Sequence, residues 1–170
     1  MPPEAGEKKV EIERKWFMRE PPALPEKSHT MVWQSYLSLL PEVRIRRYRD
    51  LLRSGPYRFD LTIKSEGVIA REEIIKDLTE EEYRILLEMN DGRAPIVKDH
   101  RTYAFGKYIL EYSVVDPERP EGFTYAEVEF PTLEEAEAFQ APDWFGEETT
   151  HQPGRRMRSY WRMTRLGEKP

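Results

Sequence analysis

Glu11, Glu13 and Lys15 alternate with Ile12 and Arg14 in the run Glu-Ile-Glu-Arg-Lys. In a strand, side chains alternate between faces, so the two carboxylates and the ammonium share one face and Val10, Ile12 and Trp16 the other. Such a row suits a ligand that carries both kinds of charge. Carboxylates would hold a divalent cation, and the lysine would hold a phosphate. A single charged row is also what any solvated strand face presents, so its meaning depends on repetition.

The row is repeated. Arg44 and Arg46 alternate with Val43 and Ile45. Thr62 and Lys64 share a face with Arg58 and Asp60, Arg71 with Glu73, Glu111 with Ser113, and Glu127 with Glu129. The signs are segregated. Segments 10–17, 109–114 and 126–130 carry mainly acid, whereas 43–47 and 61–64 carry mainly base. That division serves a site where bases neutralise phosphate oxygens and carboxylates hold a bridging metal.

The elements that must position these groups are mostly strands. Residues 1–9 read as a disordered leader before a single domain at 10–170. Residues 20–29 hold three prolines and read as a loop. A strand at 31–40 stops at Pro41, and Ser54-Gly55-Pro56 marks a turn between two strands. Thr79-Glu80-Glu81-Glu82 is a capping box for a helix running to about Asn90, with a stripe of Tyr83, Leu86 and Leu87 flanked by Ile85 and Met89. Thr132 to Glu135 repeats the device before a shorter helix at 136–140, and Pro142-Asp143-Trp144 reads as a turn. The pattern is α+β. If charges fill the interior of a barrel, the apolar strand faces point outward and need cover from the helices or from a second copy of the chain.

The ordered motifs Glu11-Ile12-Glu13-Arg14-Lys15, Gln34-Ser35-Tyr36-Leu37, Arg44-Ile45-Arg46, Leu61-Thr62-Ile63-Lys64, Glu127-Val128-Glu129 and 142–148 resemble those of the CYTH superfamily, the triphosphate tunnel metalloenzymes. The resemblance covers about residues 9–150. It implies an antiparallel eight-stranded β-barrel with flanking helices and a polar tunnel. It further implies hydrolysis of inorganic triphosphate or a related triphosphate with Mg²⁺ or Mn²⁺. A class IV-type adenylate cyclase acting on ATP and a non-catalytic polyphosphate- or nucleotide-binding module are the alternatives. Lys15, Arg44, Arg46, Lys64, Arg71 and Arg101 would hold phosphate, with Lys98 beside them. Glu11, Glu13, Glu73, Glu111, Glu127 and Glu129 would hold metal. Glu127, Glu129 and Lys15 form the catalytic set, one of the two glutamates orienting the attacking water.

Three departures stand against that pattern. Ile75 replaces an acid in the R-x-E-x-E motif, Ser113 replaces one in E-x-D, and the tail carries Arg155, Arg156, Arg158, Arg162 and Arg165 in place of a Y-x-N-like signature. At helical spacing Met157, Tyr160, Trp161 and Thr164 form one stripe. It would pack on the outside of the barrel, or else the segment would close one tunnel end and lend an arginine to the phosphates.

Composition sets the outer bounds. A length of 170 residues suits one domain. A net charge of −5 argues against binding nucleic acid by bulk electrostatics, although a cleft can focus a local field of the opposite sign. With no cysteine there is no thiolate metal site and no cysteine nucleophile. No apolar run reaches the roughly 20 residues of a membrane span, and a cytoplasmic location is the default. His29, His100 and His151 show no ligand spacing and read as ordinary polar residues.

Overall fold

The computed structural model describes residues 8–169. Eight strands close into one antiparallel barrel: β1 (Lys8–Phe17), β2 (Glu26–Leu39), β3 (Glu42–Asp50), β4 (Arg58–Lys64), β5 (Ala70–Leu78), β6 (Ile96–Phe105), β7 (Tyr108–Val115) and β8 (Phe123–Glu129), in the order β1-β5-β4-β3-β2-β6-β7-β8. Most neighbours are consecutive hairpins. Closure falls to β1, whose first half (Lys8 to Ile12) pairs with β5 and whose second half (Glu13 to Phe17) pairs with β8.

Where β1 leaves β5, residues 146–149 take over the freed edge. Gly146 N–H donates to the Phe17 carbonyl at 3.0 Å, and Thr149 N–H donates to that of Lys15 at 2.8 Å. A Cβ on Gly146 would lie 2.3 Å from the Phe17 oxygen, so only glycine permits this approach. On the outer face Arg14 clamps the same segment, its Nε and Nη2 donating to Glu148 at 2.7 and 2.8 Å.

Several boundaries differ from the sequence reading. β1 begins at Lys8, and residues 1–7 of the expected leader lie outside the described residues. β2 begins at Glu26, so the proline-rich loop is shorter than 20–29: Pro25 is its last proline, and the chain beyond pairs with β6. The turn at 142–145 is present, with Phe145 N–H donating to Pro142 O.

The helices cover part of the outer surface. α1 (Glu80–Glu88) has the reciprocal capping box and packs Tyr83 on Phe59, while Ile85 and Met89 of its expected flank are exposed. α2 (Leu133–Ala138) has only half the device: Thr132 accepts from Glu135 N–H, but the Glu135 carboxylate accepts from Tyr108 instead. Beneath α2 lies an outer core of Trp16, Tyr103, Leu110, Tyr112, Val128, Phe130 and Phe145.

α3 (Met157–Arg165), in the tail, does not lie on the barrel's outside. Its buried Met157, Tyr160 and Trp161 pack with Tyr36, Ile96, Val115 and Tyr125. Strand alternation puts those four on the same inward face as Arg44, Lys98 and Glu127. The helix therefore plugs the barrel end where β2 and β7 stop and β6 and β8 start. Asp116 holds it there, accepting from Tyr160 Oη and Arg165 Nη1, both at 2.7 Å, and from Val97 N–H at 2.8 Å.

Candidate active site

The inward-facing residues line a cavity of about 180 Å³. With about 30 Å³ per liquid water, it suits a small polyanion and not a folded partner. Among the described residues its wall carries nine lysines and arginines (Lys15, Arg44, Arg46, Lys64, Arg71, Lys98, Arg155, Arg156 and Arg158) against five carboxylates (Glu11, Glu13, Glu42, Glu111 and Glu127). A chain of net charge −5 thus encloses an excess of four positive charges. A low-dielectric wall strengthens that field.

Each group is placed by its register. Lys15 on β1 sits opposite Glu127 on β8, with its Nζ 4.6 Å from the Tyr125 ring centroid. Arg44 lies between Tyr36 and Thr62 on the flanking strands, and its Nε has no hydrogen-bond partner. Gln34 Oε1 and Thr62 Oγ1 are likewise buried and unpartnered on the same inner wall. Unpaired buried polar atoms are costly unless water or a ligand meets them. Arg46 is already gripped by Asp60, in a bidentate pair at 2.8 and 2.9 Å. Lys64 donates to Glu11 at 2.8 Å and lies 3.5 Å from Glu73. Arg71 spans Glu42 at 3.1 Å, Glu11 at 3.7 Å and Glu13 at 3.8 Å.

The acids are unequal. Burial, with Glu127 and Glu11 nearby, raises the Glu13 carboxyl well above the usual carboxylate range. Burial pushes Glu127 the same way, but Lys15, a hydrogen bond from Glu13 and Lys98 outweigh it and hold Glu127 below that range. The two carboxyls are thus driven in opposite directions, Glu13 toward its neutral form and Glu127 toward its ionised form. Burial and the cationic Arg44 pull the Lys98 ammonium down to about 7, and its Nζ lies 3.2 Å from Tyr125 Oη.

Three expected residues stand elsewhere. Arg101 is on the outer face of β6, because Lys98 and His100 take the inward positions; it pairs with Asp99 at 3.1 Å and with Glu26 at 3.7 Å. Glu129 has the inward parity of Glu127 but sits at the strand's last residue, exposed at the rim and paired with Lys9 at 2.9 Å. Glu73 is buried behind Lys64 and is not part of the cavity wall. Glu11, Glu13, Glu111 and Glu127, together with Lys15, Arg44, Arg46, Lys64 and Arg71, are brought together as expected.

The sequence reading missed others. His100 is no ordinary surface histidine: it lines the cavity. Glu42 does too, and its signal was the period-two continuation of Arg44 and Arg46 back toward Pro41. The tail closes one tunnel end, the first part of the second reading of it. Arg155, Arg156 and Arg158 reach the cavity at the plugged end, where Arg156 donates to the Gly67 carbonyl at 3.2 Å and Arg158 pairs with Glu66 at 2.6 Å. Burial and the cationic neighbours Arg158 and Arg71 lower the Arg156 guanidinium's pKa, as expected where positive charge is in excess.

No family model matches the sequence, and none of the curated proteins does. Solved structures do. The chain is similar to the hypothetical protein NE1496, at 25% identity over 88% of this chain and 96% of that one, with a TM-score of 0.57. A second structure, of the inorganic triphosphatase NE1496, gives 24% identity, 88% and 93% coverage, and a TM-score of 0.58. A candidate adenylate cyclase from Bacillus halodurans shares the fold at 14% identity, covering 76% and 85%, with a TM-score of 0.53.

Proposed function

The chain belongs to the CYTH superfamily, and from that premise we propose that it hydrolyses inorganic triphosphate, or a related triphosphate, with a divalent cation. The observation that carries this reading is the cavity wall: an excess of cations on β3, β4, β5, β6 and the tail faces a carboxylate set on β1, β7 and β8. A linear triphosphate, with about four negative charges near neutral pH, would be met by Lys15, Arg44, Arg46, Lys64 and Arg71. Arginine offers paired N–H donors to phosphate oxygens, and lysine a compact charge.

Glu11, Glu13 and Glu127 would hold Mg²⁺ or Mn²⁺. Among the described residues, no three carboxylate or imidazole groups converge into a ready-made cage. Mg²⁺ rarely uses one beside phosphates, where one or two carboxylates and several waters suffice. The crowding of Glu11, Glu13 and Glu127 on one cavity wall supports the fit, because a cation relieves the repulsion between neighbouring carboxylates. A bound ion would supply charge neutralisation on the transferred phosphoryl group. Lys64, which donates to Glu11 in the free protein, would turn to phosphate once Glu11 is engaged elsewhere. Glu127, held ionised at the cavity wall, is better placed than the rim residue Glu129 to accept a proton from the attacking water.

Phosphate release from triphosphate with Mg²⁺ or Mn²⁺, abolished by a chelator, tests the proposal. Metal-independent release, or none with any divalent cation, would overturn it. Faster turnover of ATP with cyclic AMP as product would assign the cyclase activity instead. Tight triphosphate binding without turnover would assign the binding module.

A further inference from the structure

Among the described residues His100 is the one histidine in the cavity wall, and its surroundings set it apart. Its Nδ1 lies 2.9 Å from Ser113 Oγ on the neighbouring β7. Its Nε2 lies 3.4 Å from Glu111 Oε1, also on β7 and also in the cavity wall. Glu111 in turn pairs in register with Glu127 on β8, so an imidazole and two carboxylates lie side by side on one inner wall. Ser113 is 1% exposed. It stands where the resemblance leads one to expect an acid, and its hydroxyl can accept from Nδ1–H while carrying no charge.

We propose that His100 and Glu111 form a cation position of mixed nitrogen and oxygen character, which binds a borderline transition-metal dication such as Co²⁺ or Zn²⁺ beside the carboxylates Glu13 and Glu127. Three arguments carry it. The first is spacing. A nitrogen and an oxygen ligand at about 2.1 Å from one tetrahedral ion lie about 3.4 Å apart, the separation found here. The second is orientation. Histidines that bind metals through one ring nitrogen hold the other in a hydrogen bond that fixes the ring and its tautomer. Ser113 does this at Nδ1, and the Nε2 lone pair is then directed at the cavity. The third is ligand chemistry. Imidazole suits first-row transition ions, whereas Mg²⁺ prefers oxygen donors throughout. Two protein ligands leave the remaining positions to water and, in a loaded cavity, to phosphate oxygens. The inference concerns which ion binds and does not depend on the reaction proposed above.

The experiment uses the full chain without triphosphate. Calorimetric titration with Co²⁺ and with Mg²⁺ compares the parent with His100→Asn, which retains an amide nitrogen near Nδ1 for Ser113 but has nothing at Nε2. The expected result is a loss of about tenfold or more in Co²⁺ affinity with Mg²⁺ affinity unchanged within about twofold, the scale on which histidine-site changes act. Equal losses for both ions, or no loss for Co²⁺, would overturn the proposal. Carboxylates also favour Co²⁺ over Mg²⁺, so the difference between parent and variant decides, not the parent's preference. If His100→Asn folds poorly, the parent alone suffices: diamagnetic Zn²⁺ must shift the ¹⁵N signal of His100 Nε2 well beyond that of its own Nδ1 and beyond either ring nitrogen of His29, and equal shifts refute the site. Failure here with Mg²⁺-dependent phosphate release intact would leave the proposed reaction standing; the converse result would do the opposite.

Discussion

Removing the Asp116 side chain should unseat the plug. Asp116 and Arg165 are 2% and 3% exposed, and the carboxylate accepts three hydrogen bonds, from Val97 N–H, Tyr160 Oη and Arg165 Nη1. Asp116→Ala leaves a buried guanidinium without its counter-ion, and breaking such a pair costs about 3–5 kcal/mol. At about 2–4 °C per kcal/mol for a chain of this size, the melting temperature should fall by about 6–20 °C. Burial works against the Asp116 charge, but Arg165, Val97 N–H and Tyr160 together hold its carboxyl below the ordinary value. Its contribution is therefore present above the unfolded carboxyl pKa of about 3.9 and lost as pH falls through the lower folded value. The deficit of Asp116→Ala, measured by calorimetry or circular dichroism, should be full at pH 7 and shrink toward pH 3. Because the plug carries Arg155, Arg156 and Arg158 to the cavity, the folded variant should also show a raised KM for triphosphate. A fall below about 2 °C, or a deficit that does not change with pH, would refute the reasoning.

Arg44→Met should weaken triphosphate binding by about 2–5 kcal/mol, as when one partner of a desolvated charge pair is cut away; Arg101→Ala, on the outer face, should leave the dissociation constant unchanged within about twofold, and calorimetry compares the two. Lys98, drawn down to about 7 in the free protein, should be protonated when a polyanion binds, so triphosphate affinity should fall as pH rises from 7 to 9, by at most about tenfold per unit. Lys98→Met should flatten that slope. Glu13 has a raised folded pKa, so the native state binds more protons than the unfolded chain above the unfolded value, and stability falls as pH rises through that window. Glu13→Gln removes this cost: the metal-free variant should melt higher than the parent at pH 8 while losing metal-dependent turnover, and a lower melting temperature would contradict the raised Glu13 pKa.

The charged wall was legible because strand alternation has a period of two. Once one residue of β1, β3 or β4 is placed inside, Glu11, Glu13, Lys15, Arg44, Arg46 and Lys64 follow. The same rule explains the errors. Arg101 is what the resemblance implies, from a motif that is one residue longer here, yet parity from Lys98 selects His100. Glu129 shares the parity of Glu127, but alternation says nothing of depth along the barrel axis, and a strand's last residue meets solvent. His100 has no partner in its own strand; Ser113 and Glu111 reach it only through the pairing of β6 with β7. The stripe of Met157, Tyr160 and Trp161 was visible at helical spacing, but not its destination. That depends on an apolar collar of Tyr36, Ile96, Val115 and Tyr125 contributed by four separate strands, which no local periodicity reports.

β1 joins the two ends of a sheet built from two sequential runs, β2 to β5 and β6 to β8, that meet where β2 pairs with β6, and this bears on the order of assembly. Hairpins β2 to β5 and β6 to β8 can form from neighbouring residues, whereas the contacts of β1 with β8 and with the segment beyond it are among the longest loops in the molecule; Arg14 and Glu148 are 134 residues apart. Loop-closure entropy disfavours such contacts until the rest is in place. β1 also carries Glu11, Glu13 and Lys15. Docking of Glu11, Glu13 and Lys15 into the site and closure of the last seam of the fold are therefore the same event. Until β1 docks, β5 and β8 present unpaired edges to other chains. A polyanion with its cation, needing both halves of the wall, would then act as a folding ligand, slowing the reopening of the seam more than it hastens its closing.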